Sequence, residues 1–253
     1  MSEPRFADPL VRVHKLCKTY PDAEALKDLS FSLREGEILG ILGPNGAGKT
    51  TAIHILLGLL GPTSGEAEVF GLSPEKHRHL IAPHLNFASA YTTLPSNLTV
   101  RENLDIFAML YDVKKPAEVI RSLLEIFQIK HLEKRVTGAL SSGEKTRLNL
   151  VKCLLNAPKL LLLDEPTSSL DPDMADQVRK TLLRIRGEQK IGVIVTSHNM
   201  MEIEEICDRI LFIHEGRTVA EGTPAELLRT FSSDNLDQVF IKLVRKGDFV
   251  WRR

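Results

Sequence analysis

Apolar positions along the 253-residue chain switch between a two-residue and a helical period, and the switches lay out its elements. Residues 11–16, VRVHKL, alternate in strand fashion. The alternation runs on through CKTYPDAEALKDLSFSL to Leu33, which predicts an antiparallel strand pair. EILGIL at 37–42 reads as a strand, and Thr50 to Leu60, with Ile53, Ile55, Leu56 and Leu57, as a helix. GPTSG at 61–65 is a turn, GEAEVFG at 65–71 a short strand, Glu75 to Ile81 a short helix and LNFAS at 85–89 another strand. From there to about residue 156 the pattern is almost wholly helical. Thr99 with Glu102, and Ser141 with Glu144, have the spacing of capping boxes. Pro116 suits the first position of a further helix, AEVIRSLLEIF.

LLLLD at 160–164 and IGVIVTS at 191–197 are continuous apolar runs, as expected of strands covered on both faces in a parallel sheet. Asp171 and Pro172 start a helix between them. RILFIHEGRTVAEG reads as a hairpin about Glu215-Gly216. The helix PAELLRT, the polar linker SSDN and the amphipathic segment LDQVFIKLVRK follow. The implied class is α/β: a mostly parallel sheet with flanking helices, an N-terminal antiparallel β lobe and an inserted helical lobe. The expected organisation is one domain, 1–253, with a core lobe at about 10–88 and 157–225 and a helical lobe at about 89–156. Residues 226–253 form a C-terminal helical tail.

The chemistry concentrates at residues 43–51, GPNGAGKTT, which fit G-x-x-x-x-G-K-[ST] between a strand and a helix. Glycines let backbone N–H groups converge on an anion, and a helix N-terminus adds about half a positive charge. Lys49 can reach the β- and γ-phosphates of a nucleotide, and the Thr50 hydroxyl can ligate Mg²⁺. This strand–loop–helix resembles the phosphate-binding loop of a P-loop NTPase, a resemblance that implies a RecA-like core. Asp164 and Glu165 stand at the carboxyl end of a buried strand, where open α/β sheets bind ligands. Asp164 suits Mg²⁺ and Glu165 suits activation of a water molecule, although a DE pair can also be a turn carrying solvated charge. His198 follows a core strand at the same sheet edge, which favours γ-phosphate sensing over a structural role. Tyr20, upstream of the loop, is either a stacking platform for adenine or a turn residue beside Pro21. LSSGE, 140–144, is either a well-capped helix start or a second anion site.

Charge and composition narrow the partners. Lys plus Arg equals Asp plus Glu at 33 each, so no global field draws in nucleic acid or an acidic membrane surface. Cys17, Cys153 and Cys207 are scattered and odd in number, which fits free thiols in a reducing compartment. The first ten residues lack the basic start and apolar core of a signal peptide, and no apolar run approaches the ~18 residues of a membrane span. A cytoplasmic protein is expected, one that can still dock on a membrane protein.

Taken in order, Tyr20, GPNGAGKTT, LSSGE, LLLLDEP, SSLD and TSHNM resemble the ATP-binding subunit of an ATP-binding-cassette (ABC) transporter over roughly residues 10–225. LTVRENLDIFAMLY and the tail DNLDQVFIKLV are similar to exporters whose membrane permease is a separate polypeptide. The resemblance implies ATP and Mg²⁺ as cofactors, hydrolysis of ATP, and a head-to-tail homodimer with composite sites. It also implies a separate integral-membrane permease, location on the inner face of the membrane through that permease, and no nucleic acid. It implies that Tyr20 stacks on adenine. Gly43, Pro44, Asn45, Gly46, Ala47, Gly48, Lys49, Thr50 and Thr51 would form the Walker A loop. Ser141, Ser142, Gly143 and Glu144 would bind the γ-phosphate held by a partner cassette. Asp164 with Thr50 would hold the metal, Glu165 would be the catalytic base, and His198 the switch histidine. Ser169, Leu170 and Asp171 would link the two sites.

Two departures stand out. The usual signature LSGGQ is here LSSGE, with Ser142 for a glycine and Glu144 for the glutamine. The glutamine usual after the strand LNFAS is missing, and Ala90 holds its place. Ser89 and Asn86 are the nearby polar candidates to replace it, Ser89 being nearer the strand's end. A soluble cassette ATPase unconnected with transport and a regulatory nucleotide-binding subunit with little turnover are the alternative classes.

Overall fold

The computed structural model describes residues 4, 9–89, 93–197 and 199–245. The N-terminal strands β1 (Val11–Tyr20) and β2 (Ala23–Leu33) pair antiparallel. β3 (Ile38–Leu42) leads through a loop into α1 (Lys49–Leu56). β4 (Ser64–Val69) then returns to β1, completing a three-stranded sheet of order β2-β1-β4. Next come α2 (Pro74–Ile81), β5 (Leu85–Ser89), α3 (Val100–Leu110), α4 (Pro116–Ile126) and α5 (Ser142–Leu154). The chain continues with β6 (Leu160–Asp164), α6 (Pro172–Gln189), β7 (Gly192–Thr196), α7 (Met200–Ile206), β8 (Arg209–His214) and β9 (Arg217–Gly222). It closes with α8 (Pro224–Thr230) and α9 (Leu236–Arg245).

The larger sheet runs β5-β6-β7-β3-β8-β9 and is parallel throughout except for the β8–β9 hairpin. Its central strands lack polar alternation, carrying Asp164 and Thr196 only at their carboxyl ends, because both faces are covered. Leu39, Ile41, Leu160, Leu162 and Ile194 pack with Ile53 and Leu56 of α1 and with the small sheet. Ile38, Leu42, Leu161, Leu163 and Val195 face the opposite cluster, which draws on α5, α6, α7 and α9. This places the loop before α1 and the ends of β6 and β7 along one sheet edge, the crevice position for ligands in such sheets.

Several elements depart from the sequence expectation. The helix after the glycine loop stops at Leu56, four residues early, as Gly58 at φ +64° turns the chain away. GEAEVFG forms the expected strand, and its place beside β1 as β4 is a non-local pairing that periodicity cannot show. The stretch expected to be almost wholly helical holds α3, α4 and α5 joined by irregular segments and single 3₁₀ turns at Lys130–Leu132 and Thr137–Ala139. Buried Asn103 ties these segments: its Nδ2 donates to the carbonyls of Pro95 at 3.2 Å and Thr99 at 3.0 Å, and to Thr137 Oγ1 at 2.8 Å. The Thr99–Glu102 capping box forms as its spacing predicts.

Candidate functional site

The glycine loop hands β3 to α1 with its first helical amides exposed to one cleft. Gly48 is the N-cap residue at φ +106°, and no side chain caps the helix. By contrast α3, α5, α6, α7 and α8 all begin with a side chain accepting from the first turn. Nor does an acidic residue sit in the first turn of α1, so its amides and the positive end of its dipole face outward uncompensated. A Cβ at position 48 would lie 2.5 Å from the Ala25 carbonyl oxygen, so only glycine brings the loop this close to β2.

Asn45, Gly46, Ala47, Gly48, Lys49, Thr50 and Thr51 line a cleft of about 390 Å³, together with Ala25, Asp164 and Glu165. That volume is within the usual range of ligand sites. Lys49 is buried, and its ammonium donates to the carbonyls of Gly43 at 2.6 Å and Pro44 at 3.1 Å. Burial lowers its pKa, while the charges of Glu165 and then Asp164 oppose that shift. One cation, two carboxylates and a row of outward amides thus face one space, an arrangement suited to a polyphosphate with a divalent cation.

Asp164 ends β6 opposite Thr196 of β7, whose Oγ1 donates to Asp164 Oδ1 at 2.5 Å. The carboxylate is thereby oriented and keeps its second oxygen for a ligand. Glu165 lies just past the strand at φ +54°, a left-handed conformation that costs a non-glycine residue about 1–2 kcal/mol. Its amide donates to the Thr196 carbonyl at 3.0 Å, which fixes the turn. With Thr50 and Asp164 as oxygen donors on one cleft, the donor set fits Mg²⁺.

Other predicted residues lie elsewhere. Ser141 caps α5 and exchanges bonds with Glu144: Glu144 N donates to Ser141 Oγ at 3.2 Å and Ser141 N to Glu144 Oε2 at 2.7 Å. The backbone bond from Ser141 leads the causes that lower the Glu144 pKa. Ser141 and Ser142 are exposed, and none of Ser141 to Glu144 lines the Lys49 cleft. Tyr20, 40% exposed at the end of β1, is likewise not on that cleft, and Lys18 Nζ stands 5.5 Å from its ring centroid. The predicted switch histidine, His198, and the Ala90 position lie outside the described residues. Of the polar residues proposed to replace the glutamine, Asn86 is engaged by Asn156 at 2.5 Å. Ser89 is the direct register partner of Asp164. Sequence reasoning missed Ala25, which reaches the cleft from a distant strand, and Thr196, whose only signal is a hydroxyl at the end of an apolar run.

Comparison with known proteins gives one answer. The family described as ABC transporter matches residues 26–168. Over 212 residues the chain is 37% identical to the bacitracin transport ATP-binding protein BcrA of Bacillus licheniformis, covering 84% of this chain and 69% of that protein. It is 39% identical over 213 residues to the Nod factor export ATP-binding protein I of Neorhizobium galegae, covering 83% of this chain and 60% of that one. It is 36% identical over 250 residues to the probable multidrug ABC transporter ATP-binding protein YbhF of Escherichia coli, of which it spans 43%. Among solved structures, an ATP-binding subunit of an ABC transporter superposes with a TM-score of 0.85 at 27% identity, covering 93% of this chain and 99% of that one. CbiO1 of Clostridium perfringens, part of the ABC transporter complex cbiONQ, superposes with a TM-score of 0.79 at 28% identity, covering 95% and 98%.

Proposed function

The chain belongs to the ABC transporter family as an ATP-binding subunit, and we propose that it hydrolyses MgATP to drive a separate membrane permease, in the direction of export. The observation that carries the hydrolytic reading is the meeting of Lys49, Asp164 and Glu165 at the uncapped start of α1. In this reading the amides of residues 45–51 and the Lys49 ammonium bind the β- and γ-phosphates, and Tyr20 stacks on the adenine. Thr50 and Asp164 hold Mg²⁺, which when bound neutralises charge on the phosphate oxygens. Glu165 takes the proton of the attacking water, and its strained turn fixes where that carboxylate stands. His198 contacts the γ-phosphate.

Ser141 to Glu144 do not line the Lys49 cleft of their own chain, and in this reading a head-to-tail second copy supplies them to it. This makes the working unit a homodimer. No described helix is long and apolar enough to cross a membrane, and in this reading a partner supplies the span. Relatives in the family are named for bacitracin transport, Nod factor export and multidrug transport, which supports export and fits a subunit held on the inner membrane face by its permease. A groove lined by Leu57, Leu59, Tyr111 and Lys152 is the docking face for that permease. Met109 and Leu110, 81% and 71% exposed, precede Tyr111 in the chain and are exposed apolar side chains.

The test is phosphate release by the purified protein with and without Mg²⁺, joined to co-purification from native membranes with the partner identified by mass. Metal-dependent release and a multi-span partner are expected. Tight ATP binding without release would replace the hydrolytic reading with a regulatory one.

A further inference from the structure

The turn that carries Glu165 is tied to the rest of the molecule through one buried carboxylate that none of the roles above uses. Thr167 and Glu202 are both 7% exposed. Thr167 Oγ1 donates to Glu202 Oε2 at 2.5 Å, joining the loop after β6 to the first turn of α7. The other oxygen, Glu202 Oε1, accepts from Arg179 Nη1 of α6 at 3.3 Å. Arg179 is in turn flanked by Asp176 at 3.4 Å and by Glu205 at 3.0 Å. The amide of Glu202 donates to Asn199 Oδ1, the N-cap of α7, at 3.4 Å.

Within the loop the ties run back to Glu165. The amide and hydroxyl of Ser168 donate to the Glu165 carbonyl at 3.4 and 3.1 Å, and Leu170 N donates to the Thr167 carbonyl at 2.9 Å. Glu165, Thr167, Ser168, Asn199 and Glu202 line one cleft. A left-handed glutamate persists only where its surroundings over-determine it. The Thr196 carbonyl holds the amide side of Glu165, and the Thr167–Glu202 bond is the side-chain anchor on its far side.

We infer that Thr167 and Glu202 are positioning residues for Glu165, and that through them the stance of the catalytic base follows the placement of α7 relative to α6. The inference rests on the reading of Glu165 as the base. A carboxylate is the right residue here. It has one oxygen for the loop hydroxyl and one for Arg179, and burial strengthens both bonds. Because Glu205 and Asp176 also face Arg179, changing Glu202 to the amide does not strand the guanidinium.

Three variants in the full-length protein test this: Thr167→Val, which keeps the branched shape and loses the hydroxyl, Thr167→Ser, which keeps the hydroxyl, and Glu202→Gln, which keeps an acceptor for it. Thr167→Val is expected to lower kcat about tenfold, within the ~10²-fold that a 1 Å misplacement costs. KM for ATP and the affinity for a fluorescent ATP analogue should stay at their wild-type values. Thr167→Ser and Glu202→Gln should retain most of the rate. In a Glu165→Gln background, Thr167→Val should add no further loss. Equal losses in Thr167→Val and Thr167→Ser, a fall in ATP affinity, or a full additional tenfold loss on top of Glu165→Gln would each overturn the inference. So would a rate loss that simply follows the melting temperatures of the three variants. A wild-type protein that turns over no ATP removes the hydrolytic reading and this inference with it. A Thr167→Val protein as active as an active wild type removes this inference alone.

Discussion

Replacing Glu165, the proposed base, by glutamine changes one atom of its side chain and leaves the backbone of its turn as it is. The backbone at φ +54° is as strained for glutamine as for glutamate, and its amide keeps the 3.0 Å bond to the Thr196 carbonyl. The Ser168 bonds go to the Glu165 carbonyl rather than its side chain, so the turn survives and the melting temperature should not move. What disappears is the proposed proton acceptor, and loss of a general base costs about 10²–10⁴ in rate. At about 1.36 kcal/mol per tenfold, the barrier rises by about 2.7–5.4 kcal/mol. Binding changes in the opposite sense. Glu165 is the larger of the two carboxylate influences on Lys49, and a negative charge on the cleft also repels phosphate. Glutamine should therefore hold ATP as well as or better than glutamate, and the ATP-bound protein should accumulate as a dimer. Single-turnover phosphate release, titration with a fluorescent ATP analogue and size-exclusion chromatography with MgATP read the three effects separately. Turnover within tenfold of wild type would refute the base assignment. A parallel loss of ATP binding would refute the claim that the change is confined to the chemical step.

The composite-site reading predicts that a dimer mixing a Lys49→Ala subunit with a Ser141→Arg subunit keeps one intact site. It should hydrolyse ATP while both mutant homodimers do not, and a dead mixed dimer would remove that arrangement. Ser89→Ala is expected to weaken Mn²⁺ binding to the ATP-loaded Glu165→Gln protein, measured by electron paramagnetic resonance, whereas Ala90→Gln should strengthen it. Ala90→Gln should also alter permease-dependent stimulation of ATPase activity more than basal turnover. Burial, and secondarily the nearby Cys153, pushes the Tyr111 phenol up to about 12. Its folded value exceeds the ordinary value of ~10, so its contribution to stability is complete below pH ~10 and is lost as pH rises toward that folded value. In an ultraviolet titration of the native protein, a late tyrosinate component that disappears in Tyr111→Phe is expected, and ionisation of all tyrosines together would contradict it.

The sequence carries the parts of the fold that local rules govern. Caps at Thr99, Ser141 and Asp171 mark their helices because a side chain and an amide three residues on must meet whatever the tertiary structure. The apolar runs 160–164 and 191–197 mark the sheet centre because only a strand covered on both faces lacks alternation. Pairings between distant segments are another matter. β4 joins β1, and Ala25 reaches the cleft, through contacts that leave no trace in the spacing of either partner. Arg179, Thr167 and Glu202 come from three elements, and each alone is an ordinary helix or loop residue. The residues that chemistry constrains by type and spacing, from Gly43 to Thr51 and at Asp164 and Glu165, are legible. The residues that orient them are not.

The missing glutamine shows how register completes what sequence leaves open. The side chains of a parallel pair in register point to the same face, and Ser89 stands directly beside Asp164. The face is identified by the neighbours. Leu160 and Leu162, four and two residues before Asp164, pack on the α1 side, as does Phe87, two residues before Ser89. Ala88, Leu161 and Leu163 pack on the other side. Ser89 therefore shares the loop face with the Asp164 carboxylate, one strand spacing of about 4.8 Å away. Asn86 has the opposite parity, and its amide is taken by Asn156. A serine is shorter than a glutamine and cannot bridge from the metal site to a distant docking face. It can still offer a hydroxyl beside the carboxylate, directly or through water. The loop that follows can then carry the permease contact without also carrying the metal site. On that division of roles, the absent glutamine is expected to weigh on coupling rather than on catalysis.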